Sequence, residues 1–198
     1  MNSIIFAMSA FAIVGAATPG PVNLLATTTA IQKGHHEATK LVIGASVAYA
    51  VVVLICGSLM QQIVAWLPAV SVFMRWLGSG FLLYMAYQIF TAPVSQLTQA
   101  SGSLSGWWVG ALTQLLNPKA WLVAMSGVSL YVFGQSDPLQ WLWIFTFVSL
   151  VCCLIGVGLW AIAGRWLAGF LHQHRRQIIF NRIMATVLAV SVSMIWST

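Results

Sequence analysis

The chain of 198 residues has very little charge. Only two acidic residues, Glu37 and Asp137, stand against eight lysines and arginines, and charged residues make up 5% of it. An ordinary soluble domain is roughly 25% charged. A water-facing surface cannot be built from so few ionic groups, so most of this chain is solvated by lipid. The formal net charge of +6 is no nucleic-acid footprint. The basic residues lie between apolar runs and form no stripe interleaved with aromatics. Cysteine is scarce too. Cys56, Cys152 and Cys153 offer no CxxC spacing, which argues against a zinc site or a thioredoxin-like pair; they read as small packing residues. No GxSxG, HExxH or Walker loop occurs. No carboxylate falls inside an apolar run, so general acid–base catalysis has few candidates. The expectation is a chain that is not an enzyme and needs neither cofactor nor metal.

What is present is apolar: 60% of the residues are hydrophobic. A membrane span needs about 20 such residues. Six segments qualify: 4–30, 41–65, 69–90, 107–133, 139–163 and 178–196. Met1-Asn2-Ser3 has no basic n-region, so the first segment is expected to be a retained span and not a signal peptide. Polar punctuation falls between the segments: 32–40, a tight turn at Trp66-Leu67-Pro68, the uncharged loop 91–105, a turn at 134–138, and 164–177. The last connection mixes apolar with basic residues and suits a membrane interface.

Basic residues set orientation. With the N-terminus outside, the cytoplasmic loops receive Lys33, Lys40, Arg165, Arg175 and Arg176, and the other side receives Arg75 and Asp137. Both termini are then periplasmic. Six spans divide into three and three, and an odd number per half inverts the second half against the first. The expected fold is an all-α integral membrane protein of six transmembrane helices. It forms a single transmembrane domain over 1–198, with inverted repeats at about 1–92 and 106–198 joined by loop 93–105. The first and fourth helices are broken by proline.

The breaks carry the chemistry. In Thr18-Pro19-Gly20-Pro21-Val22-Asn23, neither Pro19 nor Pro21 can donate to the helix ladder. A continuous helix would then leave the carbonyls of Gly15 and Ala17 exposed. Unsatisfied backbone at membrane depth is tolerated where it is buried in protein or lines a cavity. Gly20 permits close approach, and Asn23 both donates and accepts. The alternative is a structural kink, with Asn23 bonding a neighbouring helix.

The second break holds Gln114, Asn117, Pro118 and Lys119. Pro118 frees the carbonyl of Gln114, and Gln114 and Asn117 share a helix face. Lys119 lies about 12 residues into its span, roughly 18 Å along a helix. A cation at that depth costs roughly 2.5–3.5 kcal/mol on insertion scales. With no acidic residue inside any span, it is either neutral, bonded to exposed carbonyls, or paired with a substrate anion such as an amino-acid carboxylate. The competing explanation is a lysine snorkelling to the interface. Helix breaks at matching places in two halves point to a midplane binding site, so the expected substrate path comprises Pro19, Gly20, Pro21, Asn23, Gln114, Asn117, Pro118 and Lys119.

Other features are plainer. Most of the ten tryptophans fall near span ends, as interfacial belts do. Trp121, deep in the fourth span, either packs in the core or lines the path. Small pairs such as Gly44/Ala48, Ala12/Ala16 and Ala185/Ala189 allow close helix approach. His35, His36 and Glu37 would need further ligands to hold a metal, and with His172 and His174 they read as solvated loop residues.

At the two breaks the chain resembles the LysE/RhtB superfamily of bacterial amino-acid exporters. The likeness rests on Thr18-Pro19-Gly20-Pro21-Val22-Asn23, on Gly34 and Gly44 at the expected distance, and on Leu115-Leu116-Asn117-Pro118-Lys119-Ala120-Trp121. Length, span pattern and the uncharged middle loop agree, so it covers essentially the whole chain. The resemblance implies an inner-membrane efflux carrier for amino acids or close derivatives, driven by proton exchange, with both motifs flanking the path. Members that export basic amino acids carry an acidic residue in the second span; here 41–65 has none. That puts a carboxylate proton relay in doubt. It also disfavours a cationic substrate, which would want a buried counter-charge. The expected substrate is a neutral amino acid of the homoserine/threonine or cysteine type, with a proton or another ion as coupling partner. No nucleic acid is implied, and homo-oligomerisation is left open. Two alternatives come from other classes: a thiol–disulfide carrier using the cysteines, and a metal-ion exporter, which the lack of intramembrane thiolate or carboxylate ligands disfavours.

Overall fold

A computed structural model describes residues 2–18, 20–91, 104–133, 135–170 and 174–196. Among them the chain forms seven helices: α1 (Asn2–Ala17), α2 (Pro21–Gln32), α3 (Gly34–Phe90), α4 (Gly106–Leu115), α5 (Pro118–Tyr131), α6 (Pro138–Phe170) and α7 (His174–Trp196). The all-helical expectation holds for these residues. Gly34–Leu59 and Pro138–Trp166 are each long and apolar enough to cross a membrane. The pair Ser3–Ala17 and Pro21–Gln32, bent by 59°, makes a third candidate if it counts as one span.

Proline sets where three helices begin. Pro21 and Pro118 sit in the first turn of α2 and α5, and Pro138 opens α6. The first helical position suits proline because its missing N–H would be unpaired there anyway. Two of these starts have side-chain caps. Asn117 Oδ1 accepts from Lys119 N at 3.1 Å, and Asp137 Oδ1 accepts from Gln140 N at 3.1 Å. The cap of α2 is Gly20, extended and with no side-chain cap.

Two sequence expectations are corrected. The connection expected over 32–40 shrinks to a single turn residue, Lys33. Gly34 takes φ +80, a left-handed conformation that glycine adopts without the Cβ penalty. His35, His36 and Glu37 therefore open α3 and are not loop residues. The turn expected at Trp66-Leu67-Pro68 is helical, and the break in helical geometry lies earlier, at Leu59 (φ −120, ψ 16). Leu59 follows Gly57-Ser58, the kind of glycine–serine pair at which helices kink. The expected loop 93–105 falls largely outside the described residues, as do Pro19 and His172.

Helix α3 packs on α4, α6 and α7, while α1 and α2 lie against α6. Glycines make the closest approach possible. A methyl group on Gly44 would overlap the carbonyl of Trp107, and one on Gly106 or Gly110 would overlap the carbonyls of Glu37 or Leu41. On α6, Gly156 seats Ala16 of α1, the small residue expected to allow close approach. Helix α5 packs against α3, with smaller contacts to α1 and α6.

Candidate functional site

Both breaks open onto one cleft. Its polar lining comes from five helices and the first break: Thr18 and Gly20 at that break, Asn23 from α2, Tyr49 from α3, Gln114 and Asn117 at the end of α4, Lys119 from α5 and Cys153 from α6. Gly15, Ala16, Val22, Ala120, Val123 and Val157 supply the apolar wall. Asn23, Gln114 and Asn117 are buried.

The first break exposes the last carbonyls of α1, which have no partner inside the helix. Each of three finds a side-chain donor. Asn23 Nδ2 donates to Ala16 O at 3.0 Å and to Thr18 O at 2.8 Å. Trp160 Nε1 donates to Ala17 O at 3.0 Å. Lys119 Nζ donates to Thr18 O at 3.1 Å, across 101 residues of sequence. Ala17 O is one of the carbonyls that proline was expected to free.

The second break is closed locally. Trp121 Nε1 donates to Leu115 O at 2.8 Å, so Trp121 caps α4 from within its own segment. The carbonyl of Gln114, expected to be free, accepts from Asn117 N at 3.3 Å. The chain tightens into a turn at Leu116 and Asn117, and this recovers the bond that Pro118 removes from the ladder. Gln114 Nε2 lies 3.9 Å from Cys153 Sγ.

The electrostatics follow from these positions. Lys119 Nζ would stand 3.6 Å from a Cβ on Gly20. An ammonium group thus faces the start of a helix whose first N–H groups have no side-chain cap. Helix N-termini carry a partial positive charge and bind anions. No carboxylate lines the cleft. The only two in the chain are engaged elsewhere, Glu37 with Lys40 Nζ and Gly106 N, each at 2.7 Å, and Asp137 at the start of α6. The cleft therefore joins a cation and an uncapped helix start with no carboxylate beside them.

Of the expected path residues, Gly20, Asn23, Gln114, Asn117 and Lys119 line the cleft. Pro21 and Pro118 start the two half-helices beside it, and Pro19 lies outside the described residues. Sequence reasoning did not place Tyr49 or Cys153 in the cleft, or Trp160 at the end of α1. Tyr49 was visible as one of few polar groups in its span. Cys153 reads as packing from sequence, and Trp160, close to the end of a span, resembles an interfacial anchor.

The family of LysE type translocators is matched over residues 13–195. The chain belongs to the LysE type translocator family. It is 28% identical over 189 residues to a cysteine/O-acetylserine efflux protein of Escherichia coli O157:H7, covering 94% of each chain. The protein of the same name from Salmonella typhimurium is 29% identical over 181 residues, 90% of each. No solved structure matches the chain. This LysE family member is accordingly a bacterial membrane protein of a transporter family whose relatives export amino acids. Both helix breaks lie inside the matched region.

Proposed function

We propose that this LysE family member is a secondary carrier. It exports small neutral amino acids, of the cysteine and O-acetylserine type named for its relatives, out of the cytoplasm across the inner membrane. The observation that carries the reading is the pairing of Lys119 with the uncapped start of α2 in a cleft without carboxylates. Lys119 and the first N–H groups of α2 receive the substrate carboxylate. The amides of Asn117 and Gln114 and the carbonyl of Thr18 bond the remaining polar groups. A cationic side chain would meet no counter-charge there, which favours neutral substrates.

The carrier has six spans in two inverted halves within one domain, both termini periplasmic. The bent pair α1–α2 serves as the first span of one half and the broken pair α4–α5 as the first of the other. Discontinuous helices at a midplane site are the arrangement by which such repeats alternate access. The coupling ion in this reading is a proton. Lys119, Tyr49 and Cys153 are the cleft-lining side chains able to release one.

The test is efflux from cells expressing the chain, loaded by feeding dipeptides, with every amino acid measured outside. Selective release of cysteine, O-acetylserine or another neutral amino acid, lost in Lys119→Ala at equal membrane expression, supports the proposal. Wild-type transport by Lys119→Ala sinks the assignment of that residue. A cysteine-free variant that exports normally excludes the thiol–disulfide alternative.

A further inference from the structure

A second opening lies between α3 and α6, away from the substrate cleft. Each helix lends it one face. On α3 the face is His35, Ala38 and Val42; on α6 it is Gly158, Ala161 and Arg165. Both sets follow the helical spacing that puts side chains on one stripe. The helices run antiparallel here, since Gly57 of α3 meets Leu142 near the start of α6. His35 and Arg165 therefore share the same end of the groove. Below them it is apolar for about two helical turns, roughly 10 Å. A methyl group on Gly158 would meet no atom within 4 Å, so this wall is open. Cys153 and Val157 line the substrate cleft, so the stripe through Gly158 is a neighbouring face of the same helix.

Charge bookkeeping sharpens the point. Glu37 is bonded to Lys40 and Gly106. Asp137 caps the start of α6, roughly 40 Å along the helix from Arg165. No acidic side chain is left to pair with Arg165, so an anion that does so comes from outside the chain. A basic rim above an apolar channel, at the end of a membrane-spanning helix pair, matches a lipid with an anionic headgroup.

We propose that this groove binds an anionic phospholipid. The phosphate sits between Arg165 and His35, with the Thr39 hydroxyl at the same rim, and an acyl chain lies along Gly158. The site is separate from the substrate cleft and independent of what the cleft carries.

The test is native mass spectrometry of the purified full-length protein, titrated with phosphatidylglycerol and with phosphatidylcholine of the same acyl chains. Wild type should favour phosphatidylglycerol by about fivefold, the effect of one basic residue near an anionic surface. Arg165→Gln should remove most of that preference, and Arg175→Gln should keep it. Gly158→Leu should weaken both lipids. Equal binding of the two lipids by wild type would overturn the proposal, and so would an undiminished preference in Arg165→Gln. Inorganic phosphate that competes equally well in wild type and in Gly158→Leu would show a free-anion site and overturn the lipid reading. Arg165→Lys, which keeps the charge, guards against a folding artefact and should retain part of the preference.

Discussion

The two helix breaks look alike in sequence and are built differently. At the first, the end of α1 is held by donors from three other helices: Asn23 of α2, Lys119 of α5 and Trp160 of α6. At the second, the end of α4 is held from within its own segment, by Trp121 and by the turn at Asn117. The second break is thus a self-contained platform that presents Lys119. The first is a junction whose geometry depends on partners far away in sequence. The proposed carrier uses both kinds of part, a fixed recognition group and a joint that responds when that group changes partner. Thr18 O accepts from Asn23 and Lys119 together, so a carboxylate that draws the ammonium away releases one of the ties on this junction.

The largest effect should come from Gly20→Asp. An aspartate there would cap α2 and place a carboxylate beside Lys119, imitating bound substrate. Efflux should fall to background. The melting temperature of the purified protein should not fall, because an N-cap contributes about 0.5–2 kcal/mol. Retained transport would show that the start of α2 is no part of the site.

Asn23→Ala comes next. It leaves the part-buried carbonyl of Ala16 without its side-chain donor, while Thr18 O keeps Lys119; a loss of about 1–3 kcal/mol should lower the melting temperature along with transport. A protein as stable as wild type would contradict the junction. The two tryptophans compare the breaks directly. Trp160→Phe and Trp121→Phe each remove one indole donor, a loss of about 1 kcal/mol in stability. Transport should suffer more from Trp160→Phe, since that bond ties α1 to α6. The reverse order, measured at matched expression, would undo the contrast. The smallest effect should be that of Cys153→Ser, which keeps a small polar group near Gln114; an efflux rate within about twofold of wild type is expected, and complete loss would restore the thiol as a working group.

Much of this was legible in the chain. Lipid as solvent followed from ten charged residues in 198, and helix breaks before Pro21 and Pro118 followed from the missing N–H groups. Which donors close the breaks was not legible. Trp160 and Ala17 meet only through the packing of α6 on α1 and α2, and an indole near a span end has a simpler reading as an anchor. The helix through Trp66-Leu67-Pro68 was missed because a proline flanked by apolar runs resembles a turn, while Gly57-Ser58 supplies the weaker local signal for the actual break at Leu59. The fate of the Gln114 carbonyl depended on how tightly the chain turns at Asn117, which spacing alone does not fix.

The central claim is that Lys119 recognises a carboxylate. The most direct measurement is competition in proteoliposomes: uptake of labelled cysteine under reducing conditions, challenged with unlabelled cysteine or with its carboxamide, in wild type and in Lys119→Gln. The account predicts that wild type is inhibited by cysteine and hardly at all by the amide, and that Lys119→Gln loses most of its uptake and this discrimination. Equal inhibition of wild type by both compounds, or full discrimination in Lys119→Gln, would contradict it.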